Sequence, residues 1–166
     1  MANLRAIRMR IKSVESTRQI TKSMKMVAAA KLRKTQLAFG GLRDYAEKSG
    51  QMLRSTAPDA AGSRNAFLRP DPENKRVCYV LIVGNRGLCG TYNHSLLRFF
   101  EALRRQEERE VLLYSVGRWG KDLIGPVDRH FEISDTPTAE EAAGLTETLK
   151  ELYLSGGAGI LRDACP

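Results

Sequence analysis

The sequence predicts an α/β fold: a long coiled-coil-type helix at the N-terminus, then a Rossmann-like three-layer domain that holds no nucleotide. Three observations carry that prediction. Residues 2 to about 56 contain no proline and repeat apolar residues at helical spacing. The run "VCYVLIV" at Val77–Val83 is continuous, apolar and rich in β-branched residues, as in a strand buried on both faces. After it, strand-like and helix-like segments alternate, the pattern of a mainly parallel sheet.

The first segment, residues 1–56, reads as one shaft-like helix. In heptads its seam runs Leu4, Ile7, Ile11, Val14, then Arg18, Thr21, Lys25, then Ala28, Leu32, Thr35, Phe39, Leu42, Ala46, Ser49 and Leu53. The ends of the seam are apolar and its middle is polar, while Ile20, Met24 and Val27 lie on a neighbouring stripe. Such a drifting seam calls for a partner helix. Gly40-Gly41 is the internal weak point, costing about 1 kcal/mol per glycine relative to alanine. Unbroken, the helix would span about 80 Å at 1.5 Å per residue, so part of it is expected to lie outside a globular body.

Residues 57–76 form a linker by composition, with Pro58, Pro70 and Pro72 among Gly, Ser, Asn and Asp. The α/β domain is expected over 77–156. It takes the Val77–Val83 strand, a glycine loop at 84–90, a helix over 92–107, a strand over 110–117 and a short helix or turn near 118–125. A weaker strand over 128–134 follows, then a helix from Thr138 to about Leu154. Thr138 with Glu141 has the T-x-x-E spacing of a capping box. Residues 157–166 read as an atypical tail. A further strand should follow the last helix, and "GILR" is too short to supply it, so the domain is expected to be incomplete at its C-terminal side.

Charge divides the chain. The net charge is +8, yet residues 1–56 hold 13 Lys or Arg against Glu15, Asp44 and Glu47, a balance of +10, and the remainder is slightly acidic. A basic helix of this kind seeks nucleic acid, anionic lipid or an acidic protein surface. Aromatic stacking residues are missing before Phe39, which counts against single-strand nucleic-acid binding. Trp and Phe are missing from the early apolar face, which counts against a membrane-surface helix. A basic-helix nucleic-acid module remains the alternative. No apolar run is long enough to cross a bilayer as a helix, and no secretory signal is expected at the N-terminus.

The catalytic readings are weak. Glycines at 84, 87 and 90 are spaced G-x-x-G-x-x-G, neither the dinucleotide fingerprint nor a P-loop. A tight turn or a partner-facing loop with Arg86 exposed explains them as well. Cys89 sits near a helix start with His94 five residues on, yet a small structural cysteine is the better reading than a nucleophile. Cys78, Cys89 and Cys165 are odd in number and lack CxxC spacing, which argues against a disulfide framework and a zinc site and for a reducing compartment.

Two stretches resemble one family. "IRMRIKSVESTRQITKSMKMVAAAKLRKTQ" at 7–36 is similar to the N-terminal signature of the γ subunit of F-type ATP synthases, through Ile7, Arg8, Ile11, Ser13, Val14, Thr17, Ile20, Thr21, Lys22, Met24, Met26, Val27, Ala28, Ala29 and Lys31. "NRGLCG" at 85–90, followed by Asn93, is similar to a second signature that usually reads (S/T)-D-R-G-L-C-G. The resemblance covers residues 1 to about 156. It implies a central-stalk rotor that couples proton-driven rotation to ATP synthesis, a non-catalytic subunit with no cofactor, no metal, no nucleotide and no nucleic acid of its own.

The partners it implies are the α and β subunits of the catalytic ring, the ε subunit and the membrane c-ring, at the cytoplasmic face of the bacterial cell membrane. Lys22, Met24, Lys25, Lys31, Arg86 and Cys89 are the implied partner contacts. Ile7, Ile11, Val14, Ala28 and Leu32 are the implied helix-packing positions. The family continues into a strand and a long C-terminal helix where this chain reads "GAGILRDACP", so a chain cut short is the expectation.

Overall fold

The computed structural model describes residues 2–58, 65–68 and 73–164. Cys165, Pro70, Pro72 and half of the expected linker lie outside the described residues. The chain divides into two units, Met1–Ala61 and Gly62–Pro166.

The first unit is the helix α1, Ala2–Thr56, 55 residues without interruption. It passes through Gly40 and Gly41, around which nothing lies within 4 Å of an added Cβ. Their cost is therefore not offset by any close packing among the described residues. Thr17, Ser23 and Thr35 return their hydroxyls to carbonyls four residues back, so these polar side chains are satisfied without leaving the helix.

The second unit opens with a single 3-10 turn, Ala66–Leu68, whose Phe67 ring stacks on Tyr153 at 5.6 Å. Four strands follow with their helices: β1 (Arg76–Ile82), α2 (Tyr92–Gln106), β2 (Glu110–Val116), α3 (Gly120–Ile124), β3 (Arg129–Phe131), α4 (Ala139–Leu154) and β4 (Ile160–Ala164). The sheet order is β3-β2-β1-β4, and every pairing is parallel. Central β1 shows why "VCYVLIV" has no polar alternation. Val77, Tyr79, Leu81 and Val83 face one core with Leu96 and Phe100 of α2, and Ile124 of α3 packs at its margin. Cys78 and Val80 face the other, against which Leu145, Leu149 and Leu152 of α4 pack. The three layers are thus α2 with α3, the sheet, and α4. Each large side chain so buried contributes about 1.5–3 kcal/mol.

The expected tail needs correction. Ile160–Ala164 is a strand, paired with β1 from Val77↔Ile160 to Leu81↔Ala164. Its polar residues are compatible with pairing because the middle of the strand is exposed and only its last residue is buried. Arg162 reaches across the sheet face: its Nη1 donates to the Tyr79 hydroxyl at 2.9 Å and to Glu107 Oε2 at 3.0 Å. The β3 strand is also shorter than expected, three residues rather than seven. Asp128 stays outside it, and its carboxylate accepts from the Leu113 N–H at 2.7 Å. The capping box at α4 forms as its spacing predicts, with Glu141 N–H donating to Thr138 Oγ1 and Thr138 N–H donating to Glu141 Oε2.

Candidate functional site

Two surfaces carry the residues singled out by sequence, one in each unit. On α1, Lys22, Met24, Lys25 and Lys31 are exposed, as are Ile7, Ile11, Val14, Ala28 and Leu32. Lys22 and Lys25 stand three residues apart and share a helix face. From Ser16 to Arg43 the helix has seven cations and no acid. Among the described residues, none of its cations enters an ion pair. The positive run and the apolar seam of α1 are thus both exposed.

The second surface is the loop between β1 and α2. Sequence reasoning singled out Arg86 and Cys89 there and missed the residue that shapes it, Asn85. The Asn85 amide donates through Nδ2 to the Ile133 carbonyl at 2.7 Å and accepts through Oδ1 from the Arg118 N–H at 3.0 Å. It thereby ties three loops together at the C-terminal ends of β1, β2 and β3. An aspartate, which the family signature usually has here, offers only the acceptor half of that pair. Arg86 pairs with Asp135 on the β3–α4 loop. Both partners are substantially exposed, so the pair orients the loop more than it stabilises it. Leu88 then takes the left-handed conformation at φ 62° and stands 91% exposed. Cys89 beside it is exposed.

The same loop occupies the place where a dinucleotide fold approaches phosphate. Here the Gly84 N–H is committed to Asn93 Oδ1 at 3.0 Å, and Asn93 is buried at the start of α2. The glycine loop is thus a closed turn held by its own side chains. Gly117 shows how tightly the neighbouring turn is built: at φ 102°, an added Cβ would lie 2.3 Å from the Val83 carbonyl oxygen.

The nucleophile reading of Cys89 gains no base. Cys89 and His94 are both exposed, and no described hydrogen bond joins them. Cys78 is fully buried on β1, and burial pushes its thiol up to about 12, with the Asp128 carboxylate adding to the effect. Such a thiol stays neutral and inert. The other histidine, His130, bonds Ser115 through Nδ1 at 2.8 Å, a contact with no signal in the residue pattern. Ser115 lies in β2 and is fully buried, so the pair is internal packing and not an accessible dyad. Among the described residues no group of three His, Cys, Asp or Glu side chains converges to hold a metal, and no helix is long and apolar enough to cross a membrane.

Comparison with known proteins agrees with this geometry. The family model described as ATP synthase matches residues 3–162. The chain belongs to the ATP synthase γ-chain family. The ATP synthase gamma chain of Flavobacterium johnsoniae is 39% identical over 163 residues, covering 94% of this chain and 56% of that protein. The gamma chain of Moorella thermoacetica is 39% identical over 165 residues, with 94% and 57% covered. Among solved structures, the rotor of Euglena gracilis mitochondrial ATP synthase in rotational state 1 matches with a TM-score of 0.53 and 25% identity, over 90% of this chain and 53% of that one. The chain spans about half the length of the curated relatives it matches. The matched range includes both α1 from residue 3 onward and the Asn85 loop.

Proposed function

We propose that this γ-family chain supplies a central-stalk element of an F-type ATP synthase, with α1 as part of the rotor shaft and the sheet unit as part of its foot. The observation that carries the reading is α1 itself: a family-matched helix of 55 residues with an exposed seam and, among the described residues, no ion pair for its positive charge. A shaft needs an apolar stripe for a companion helix and a polar surface for the sleeve around it. In this reading the chain does no chemistry. It transmits rotation, driven by proton flow through the membrane c-ring, to the nucleotide-binding α and β subunits.

Lys22, Lys25 and Lys31 then face carboxylate-rich loops of the catalytic ring, with Met24 between them. Arg86 and Cys89 face the foot partners, the ε subunit and the c-ring, at the cytoplasmic side of the bacterial membrane. Ile7, Ile11, Val14, Ala28 and Leu32 face the companion helix. Charge contacts of this sort set register and on-rate more than affinity, so a double change is the useful probe.

The test is co-elution of the purified chain with an α/β ring from a bacterial synthase in gel filtration. Co-elution is expected at low salt, and the Lys22→Glu, Lys25→Glu double variant is expected to lose it. If the wild-type chain fails to bind while a full-length relative binds the same ring, the shaft role does not hold for this polypeptide.

A further inference from the structure

The segment that leads into β1 is fastened to the sheet unit at more than one point. Phe67 stacks on Tyr153 of α4, with ring centroids 5.6 Å apart. Further on, Asn74 Nδ2 donates to the Gly156 carbonyl at 2.7 Å, across 82 residues of sequence. Asn74 Oδ1 accepts from the Arg76 N–H at 3.0 Å, a local turn that holds the amide in place. The Gly159 N–H donates to the Arg76 carbonyl at 3.0 Å. A Cβ on Gly159 would lie 2.9 Å from Asn74 Cβ, so glycine is what lets the two segments lie this close. On the other side of β1, the Glu110 N–H donates to the Lys75 carbonyl at 2.9 Å, and the Glu110 carboxylate pairs with Arg76.

We propose that Asn74 is the point at which a pull on the preceding chain enters the sheet unit, and that it holds this segment to the α4–β4 turn while the pull lasts. The proposal rests on the shaft reading above, in which α1 turns and the sheet unit must follow. A flexible chain of about twenty residues has an r.m.s. span of about 25 Å and would take up motion before passing it on. Fastening at Phe67 and Asn74 removes that slack where the chain enters the sheet unit. It also divides the pull between α4 with its turn and β2. Without it the pull would fall on the first pairs of β1, Arg76↔Glu110 and Val77↔Ile160, one after another.

The contacts are unequal. The Arg76 and Glu110 side chains are 50% and 63% exposed, so their ion pair adds little. Phe67 is half-exposed, so its stack is one-sided. The Asn74–Gly156 bond can be removed almost by itself. Aspartate keeps the acceptor for the Arg76 N–H and lacks the donor for the Gly156 carbonyl.

The experiment is constant-force stretching of the full chain, held at Thr136→Cys and at either Arg54→Cys or Gln106→Cys, with Cys89→Ser and Cys165→Ser in the background. The first axis loads the entry segment, and the second loads the sheet unit and bypasses that segment. Along the first axis, release of the chain between Phe67 and Arg76 reads as a lengthening of about 30 Å. Asn74→Asp and Asn74→Ala are each expected to speed that release about tenfold, and Gly159→Ala to act in the same direction. Arg76→Ala is expected to change it less than about twofold. Along the second axis the Asn74 variants are expected to unfold within about twofold of the wild-type rate. Unchanged release in both Asn74 variants, or equal acceleration along the two axes, would overturn the proposal. The second result would make Asn74 a stabiliser of the sheet unit with no part in transmission. Failure to co-elute with the α/β ring bears on the shaft reading alone and leaves the measured fastening as it is.

Discussion

The two units treat the same kinds of residue in opposite ways. The sheet unit buries a core of Val, Leu, Phe and Tyr side chains, in which Val77, Leu81, Leu96 and Phe100 are at most 2% exposed. The α1 unit leaves every one of its large apolar residues exposed. Composition does not explain the contrast; topology does. A parallel sheet with helices on both faces has two inner surfaces on which to hide apolar groups. A lone helix has none, so its seam finds cover only in another chain segment or another molecule. Core residues in the sheet unit therefore report stability, whereas the seam residues of α1 report partners.

The sharpest way to break this contrast is to truncate one residue on each side. Phe100→Ala empties a site between α2 and the sheet and is expected to cost the sheet unit about 3–5 kcal/mol. Urea unfolding followed at Trp119, the single tryptophan, reads that unit directly. Ile11→Ala is expected to leave the same transition unmoved. Equal shifts from both changes would mean that α1 contributes to the core, and the division into two units would be wrong.

What the sequence disclosed follows the same line. Elements whose residues are decided locally were legible: α1 by its spacing and lack of proline, β1 by its unbroken apolar run, and α4 by Thr138 and Glu141. The β4 strand was not, because its only strand partner, β1, lies far away in sequence, and its Arg162 is explained by the equally distant Tyr79 and Glu107. Likewise Arg86 was visible as a charge in a motif, but Asn85 was not visible as a clasp. Its partners, Arg118 and Ile133, are 33 and 48 residues distant. Ser115 and His130 come together only because β2 and β3 are neighbours.

Glycines sharpen the comparison at a smaller scale. Gly117→Ala is expected to destabilise the sheet unit by about 1–3 kcal/mol, since both its φ of 102° and the nearby Val83 carbonyl exclude a side chain. Gly41→Ala on α1 meets nothing and is expected to favour the helix by about 1 kcal/mol. Opposite signs for one chemical change, read by urea midpoint for the first and far-UV circular dichroism for the second, would confirm that only the sheet unit constrains its backbone by packing. Destabilisation at both positions would place a close contact on α1.

The smallest expected effect lies in acid. Glu141 is held below the usual carboxylate range, chiefly by the backbone N–H of Thr138, then by the N–H and hydroxyl of Ser134. Its ionised form is therefore favoured in the folded state. The resulting stability is fully present above the ordinary glutamate value of about 4.5 and is lost as pH falls through the lower folded value. Among the described residues no α1 carboxylate accepts a comparable hydrogen bond. Acid should thus weaken the start of α4 in the sheet unit through a group that α1 lacks. Thr138→Ala removes the other half of the box and is expected to cost about 1 kcal/mol at neutral pH. Glu141→Gln keeps the shape but cannot titrate, so its urea midpoint should fall less than that of the wild type between pH 5 and pH 3. An unchanged acid slope in that variant would mean that the sheet unit loses its stability through carboxylates elsewhere and that the capping box is held by geometry rather than by charge.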